Sequence, residues 1–239
     1  AGRGRPFRTK RETRANTGLQ TNMKIATWNV NSLKVRLPHV IDWLAANQPD
    51  ALCLQELKCE NKAFPLAEIE AAGYRAVFNG QKTYNGVAIL TKTPLADVSC
   101  DIPGFADEQK RIVAGTLDGV RIVCGYFPNG QAVGSEKFAY KMAWLEALTD
   151  WLRAELRITP QLVLAGDYNV APEDRDAHPD WKDEIHVSKP ERDAFQALIG
   201  LGLTDAFRLF AQPEQSYSWL DYLMGAFRRN FCLRIDHLL

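Results

Sequence analysis

Leu162-Val163-Leu164-Ala165-Gly166-Asp167-Tyr168-Asn169-Val170 decides the architecture. Its first four residues are uniformly apolar, which suits a strand buried on both faces. Pro160 stands before it and Gly166 closes it. Asp167 and Asn169 follow at once, where such a strand leaves its sheet. The pattern recurs along the chain. Asn29 follows Ile25-Ala26-Thr27-Trp28, Glu56 follows Leu52-Cys53-Leu54-Gln55, and Tyr126 follows Ile122-Val123-Cys124-Gly125. Asp236 sits in a fifth apolar run, after Leu233-Arg234-Ile235 and before Leu238-Leu239. Sites in layered α/β proteins gather where strands end, so these polar residues are expected to meet in one crevice.

Helical patterns alternate with the strands. Pro38 is expected to open a helix with Val40, Ile41, Trp43 and Leu44 on one side. Phe64–Ala72 suits a helix stopped at Gly73. Lys137–Leu156 carries Phe138, Met142, Leu145, Leu148, Trp151 and Leu152 at helical spacing, and Ala194–Ile199 is a further short helix. Further strands are expected over Tyr74–Phe78, Gly86–Leu90 and Arg111–Leu117. Asp118-Gly119 turns the last of these into a hairpin with Val120–Tyr126. A polar stretch with Pro172, Pro179 and Pro190 reads as a surface loop. Ser218–Trp219 and Leu233–Leu238 read as strands around a basic loop. Hairpins among helices argue a mixed α/β layered domain, not a purely parallel sheet.

Composition sets the outer bounds. The chain has 239 residues, 46% hydrophobic and 24% charged, which excludes disordered, collagenous and coiled-coil classes. No window approaches the roughly 18 apolar residues of a membrane helix. The net charge of zero hides an asymmetry: residues 1–22 hold six basic side chains and one acid, whereas the rest holds 23 basic and 28 acidic. Residues 1–22 are therefore expected to be a disordered basic extension, with the folded domain over 23–239. The five cysteines are odd in number and form no Cys-x-x-Cys. Reduced thiols in a cytoplasmic protein fit best. No heptad or broad apolar stripe demands a partner, so a monomer is expected.

Three carboxylates and two amides delivered from strand ends form an oxygen-rich set. Such a set suits a hard cation, Mg²⁺ or Mn²⁺. Zinc would need clustered His or Cys, and His39, His178, His186 and His237 are scattered. An Asp or Asn just past a strand is also a common turn former. By themselves these positions reach no further than a metal-assisted site for phosphate or a similar anion.

Six segments carry a family likeness: Trp28-Asn29-Val30-Asn31-Ser32-Leu33, Leu54-Gln55-Glu56-Leu57-Lys58, Asn85-Gly86-Val87-Ala88-Ile89-Leu90, Gly125-Tyr126-Phe127-Pro128-Asn129-Gly130, Gly166-Asp167-Tyr168-Asn169-Val170 and Leu233-Arg234-Ile235-Asp236. In order and spacing the chain resembles the exonuclease III family of abasic-site endonucleases, within the endonuclease/exonuclease/phosphatase superfamily. The resemblance implies a two-sheet α/β sandwich flanked by helices, like DNase I, and metal-dependent hydrolysis of DNA phosphodiesters. The implied substrates are duplexes with abasic sites or blocked 3′ ends. It places a Mg²⁺ ion, with Mn²⁺ an acceptable substitute, on Glu56, with Asn29, Asp167 and Asn169 around it. Asp167 is implied to orient or deprotonate the attacking water, and Asn169 to fix that water or a phosphate oxygen. Tyr126 would donate to the phosphate or the leaving oxygen, and Asp236 would stand beside the metal. Lys58 and Asn129 match positions touching backbone phosphates or the acidic cluster.

The segment Trp219 to Arg229 combines Trp219, Tyr222, Met224 and Phe227 with Arg228 and Arg229. Aromatics beside arginines suit a pocket for a base-less sugar and a grip on flanking phosphates; the bland alternative is a core aromatic cluster with solvated arginines. In the resembled family this region lines the abasic pocket.

The chain also departs from that family. Relatives continue into a further strand pair and a Ser-Asp-His motif, which is absent here, so the domain is expected to be C-terminally incomplete and to lack its C-terminal strand. Leu57 replaces a usual Thr, Phe231-Cys232 replaces a usual Gly, and Asn31 stands where some relatives carry Asp. Three alternatives follow: a superfamily phosphatase or RNA nuclease, a non-catalytic DNA-binding relative, or a protein whose basic extension does the binding.

Overall fold

The continuous apolar runs form strands whose two faces are both covered. A computed structural model describes residues 23–181, 184–220 and 232–239. The first sheet contains β1 (Ile25–Asn29), β2 (Ala51–Gln55), β3 (Arg75–Asn79) and β4 (Val87–Thr91), in the order β1-β2-β4-β3. The second contains β5 (Ala96–Cys100), β6 (Ile112–Leu117), β7 (Val120–Tyr126) and β8 (Leu162–Asp167). Three short strands follow: β9 (Trp219–Leu220), β10 (Cys232–Leu233) and β11 (Asp236–Leu238). β11 joins the second sheet, ordered β11-β8-β7-β6-β5, and β9 pairs with β10.

Side-chain alternation divides each strand between two cores. Ala51, Cys53, Val87 and Ile89 of the first sheet meet Val113, Ile122, Cys124 and Ala165 of the second. Their neighbours in sequence point outward. Leu52, Leu54, Ala88 and Leu90 pack under α1 (Leu33–Asn47) and α2 (Leu66–Ala71), through Leu33, Val40, Leu44 and Ile69. Ile112, Ala114, Val123 and Leu164 pack under α3 (Glu136–Ile158) and α4 (Lys189–Ile199), through Trp144, Leu148, Leu152 and Phe195. The result is helix, sheet, sheet, helix, the sandwich that the resemblance implies. Cys53 and Cys124 lie in the middle layer as buried thiols.

Several boundaries differ from the sequence expectation. Pro38 lies inside α1 and does not open it. The helix starts earlier because the Ser32 and Leu33 amides donate to the Glu56 and Leu57 carbonyls, at 2.8 and 3.1 Å, and because Leu33 is fully buried. Pro190 belongs to the first turn of α4, where a missing N–H costs nothing. The polar stretch before it is not wholly surface: it contains a short 3₁₀ turn, Asp174–Asp176, whose Asp176 is buried against Arg234. Strand β5 had no sequence signal, since Ala96, Asp97, Val98 and Cys100 are exposed on an edge. The hairpin follows expectation, with Asp118 and Gly119 both at positive φ, 47° and 85°, as a two-residue turn requires.

Candidate active site

Both sheets deliver polar side chains to one edge of the sandwich. Asn29 and Gln55 pair across the parallel strands β1 and β2, so Glu56 emerges beside Asn29. Tyr126 and Asp167 pair across the parallel strands β7 and β8. β11 runs antiparallel to β8 and sets Asp236 opposite Asp167. Residues from five strands thus reach one place, as their position after apolar runs predicts.

Local backbone makes this convergence possible. Gly125 and Gly166 are partners in the β7–β8 register. A Cβ on Gly166 would stand 1.9 Å from the Gly125 carbonyl oxygen, so the two strands approach more closely than any side chain permits. Tyr126 and Asp167 are the next residues. Glu56, Lys58 and Asn169 all adopt positive φ, 56°, 53° and 50°, a conformation that non-glycine residues hold mainly where the surroundings enforce it.

One amide ties the site together. Asn29 Nδ2 donates to Glu56 Oε1 and to Asp167 Oδ2, each at 2.9 Å. Tyr126 donates its hydroxyl to the same Glu56 oxygen at 3.0 Å. Lys58 pairs with Glu56 Oε2 at 2.8 Å and also donates to Asn31. The Asn169 amide N–H donates to Asp167 Oδ1 at 2.9 Å. Asn169 Oδ1 in turn accepts from Asn129 Nδ2 at 3.3 Å. Asn29, Glu56, Asp167 and Asp236, with Trp219, line a cavity of about 400 Å³. Asn129 opens instead onto a second cavity of about 600 Å³, beside Arg111, Gln109 and Tyr140.

The carboxylates are held in different protonation regimes. Burial raises Glu56, but Lys58 and the bonds from Asn29 and Tyr126 outweigh it and hold the group below its usual range. Burial pushes Asp167 well above the usual carboxylate range, and the neighbouring Asp236 adds to this against the bonds from Asn29 and the Asn169 amide. Burial, with a contribution from Glu56, brings Asp236 up to about 6, against a pull downward from Ser218. Burial and the charges of Glu56 and Asp167 push the Tyr126 phenol far above its usual value, so Tyr126 is a donor at neutral pH. Pairs of acids driven apart in this way mark an acid–base site.

The donor set fits a hard divalent cation. Asp236 Oδ1 is buried and has no hydrogen-bond partner among the described residues, which is costly unless a cation or proton meets it. Among the described residues, Lys58 is the cation paired with the cluster, on Glu56. Among the described residues, no three His, Cys, Asp or Glu side chains form a complete metal cage.

Asn29, Glu56, Tyr126, Asp167 and Asp236 therefore meet, with Asn169 and Lys58 attached to them and Asn129 one bond further out. Trp219 forms a wall of the cavity and stands edge-on to Trp181, centroids 6.2 Å apart. Met224, Phe227, Arg228 and Arg229 lie outside the described residues. His237 points away from the site: Nε2–H donates to the Val170 carbonyl at 2.9 Å and Nδ1 faces Arg234 at 3.0 Å. Sequence reasoning missed Ser218, whose hydroxyl oxygen accepts from the Ile235 and Asp236 amides at 3.1 and 3.0 Å. It also missed Lys141 and Glu191, a fully buried ion pair. Their signal was present: Lys141 sits among the apolar positions of α3, three residues after Phe138 and four before Leu145.

Comparisons with known proteins place the chain in a family and agree with its fold. Residues 26–239 match the model of the Endonuclease/Exonuclease/phosphatase family. Exodeoxyribonuclease III of Haemophilus influenzae is 34% identical over 233 residues, covering 91% of this chain and 87% of the relative. Among solved structures, a 3′-5′ exonuclease from Neisseria meningitidis is 47% identical with a TM-score of 0.87, covering 90% of this chain and 86% of the other. A Neisseria structure described as a 3′ phosphatase is bound to a product DNA hairpin. An AP endonuclease from Archaeoglobus fulgidus is 37% identical with a TM-score of 0.85, covering 90% and 85%.

Proposed function

Because this chain belongs to the endonuclease/exonuclease/phosphatase family, and within it to the exonuclease III branch of DNA-repair nucleases, we propose that it is a Mg²⁺-dependent phosphodiesterase acting at abasic sites and blocked 3′ ends of duplex DNA. The observation that carries this reading is the Asn29 amide joining Glu56 and Asp167 beside an Asp236 oxygen that has no partner among the described residues. The reduced thiols fit a cytoplasmic enzyme, and nothing in the reaction asks for more than one copy of the chain.

Glu56 and Asp236 are the metal-holding carboxylates in this reading, with Asn29, Asp167 and Asn169 at its border. The cation supplies charge neutralisation on the phosphate and on the departing oxyanion. The remaining work falls to the chain itself. Asp167, whose two oxygens both accept from N–H donors as a carboxylate's do, takes the proton of the attacking water as the new P–O bond forms. Asn29 and the Asn169 N–H each hold one Asp167 oxygen, so the carboxylate cannot rotate away. Tyr126, kept protonated, turns its one O–H from Glu56 to a phosphate oxygen or to the oxygen whose bond to phosphorus breaks. Lys58 and Asn129 hold neighbouring phosphates. Trp219 offers a flat apolar wall to a sugar that has lost its base.

The test is cleavage of two duplexes, one with an abasic site and one with a 3′-phosphate, with Mg²⁺ and with EDTA. A soluble aryl phosphate is run alongside. Cleavage of either duplex that EDTA abolishes, with the aryl ester left intact, is the expected result. Cleavage indifferent to EDTA, or hydrolysis of the aryl ester alone, overturns the reading.

A further inference from the structure

Lys141 lies in the middle of α3, and neither it nor its partner Glu191 has any exposed side-chain surface. A buried ion pair contributes little more than well-packed apolar side chains would. Its value must therefore be sought in what an apolar pair cannot do. The three ammonium protons of Lys141 are all committed. One goes to Glu191, one to the Asn129 carbonyl at 3.2 Å and one to the Asn169 carbonyl at 2.7 Å. Those carbonyls belong to two loops that follow different strands, β7 and β8. The loops' side chains meet on the other side, through Asn129 Nδ2 and Asn169 Oδ1.

The surroundings hold the same arrangement from several directions. The His186 ring donates from Nδ1 to the Asn169 carbonyl at 2.7 Å. The His186 main-chain N–H donates to Glu191 Oε1 at 3.1 Å. Glu191 Oε2 accepts from the amide and hydroxyl of Ser188, at 3.1 and 2.6 Å, and so is fixed to the start of α4. Gly130, at φ +90°, lies against the Lys141 stem, where a Cβ would stand 3.0 Å from Lys141 Cδ. Asn169 passes the register onward: its N–H holds Asp167 Oδ1, and its Nδ2 donates to the Phe127 carbonyl at 3.1 Å.

We propose that Lys141 is a positioning residue: from the buried side it sets the separation of the Asn129 and Asn169 loops, and through Asn169 the orientation of Asp167. It touches neither substrate nor metal. For its rate readout this rests on the DNA hydrolysis proposed above.

The test is a mutant cycle on the full chain, followed by one measurement free of catalysis. Lys141→Met is expected to lower kcat on the duplex substrate about 10–100-fold, as small misplacements of catalytic groups do, while KM moves less than about 3-fold. In an Asp167→Asn background, where the carboxylate that Lys141 is argued to orient is already gone, the same change is expected to cost less than about 3-fold, because linked residues are non-additive. Equal losses in both backgrounds would mark Lys141 as general support for the helices and overturn the proposal. If Lys141→Met shows no cooperative thermal transition, Lys141→Arg replaces it. That variant keeps the charge but cannot place one ammonium on both carbonyls, so the same non-additive loss is expected, and wild-type turnover refutes the idea. The side-chain amide ¹⁵N–¹H signals of Asn129 and Asn169, read without DNA, should shift in either variant. Unmoved signals sink the positioning role. Shifted signals in an enzyme that cleaves no DNA leave it standing while the functional reading fails alone.

Discussion

A single amide hydrogen pair decides much of the site's chemistry. Asn29 is neutral, so it can bridge two carboxylates without cancelling the charge that a cation needs. Removing Asp167, the proton acceptor proposed next to it, should be decisive. Asp167→Asn is expected to lower kcat by about 10²-fold or more, while duplex binding measured by fluorescence anisotropy stays within a few-fold of wild type. A cleavage rate near wild type would show that another group takes the proton. His237 illustrates a buried histidine with a purely internal role. Burial, then the Arg234 charge, bring it down to about 4. Its folded value lies below the roughly 6.5 of an unfolded histidine. The stability it contributes is therefore complete above about pH 6.5 and is lost as pH falls through about 4. Denaturant titrations across that window should show the loss in wild type, and a flatter profile in His237→Gln.

At the scale of elements, the paired glycines let β7 and β8 bring Tyr126 and Asp167 side by side. Gly166→Ala forces a methyl against the Gly125 carbonyl, where only backbone can give way. The expected cost is about 3 kcal/mol, the upper part of the range for overpacking, seen as a lowered midpoint in chemical denaturation. An unchanged midpoint would mean that the strands can spread. Most elements were readable from the chain because both-face burial leaves continuous apolar runs and α3 has a long apolar stripe. β5 was not, since an exposed polar edge strand carries no periodic signal. The start of α1 was misplaced at Pro38 because the bonds that begin the helix come from residues 56 and 57, beyond any local window.

For the whole molecule, the edge where the sheets end gathers Glu56, Asp167 and Asp236, and the divalent ion proposed there would relieve their charge. Mg²⁺ at a hundred times its Kd is expected to stabilise the fold by about 2.7 kcal/mol. Differential scanning fluorimetry should show a raised midpoint in wild type and a smaller rise in Glu56→Gln. Equal rises in both would place the ion elsewhere. The chain by itself determined most of the strands, though not β5, which polar residues follow them, and that Asn29, Glu56, Tyr126, Asp167 and Asp236 belong together, because apolar runs and the residues that end them are local features. Only the tertiary structure decided that one amide spans both sheets, that the Asp236 oxygen lacks a partner among the described residues, and that Lys141 is sealed against Glu191. Those facts depend on burial and on contacts between residues far apart in sequence, and both exist only once the layers have closed.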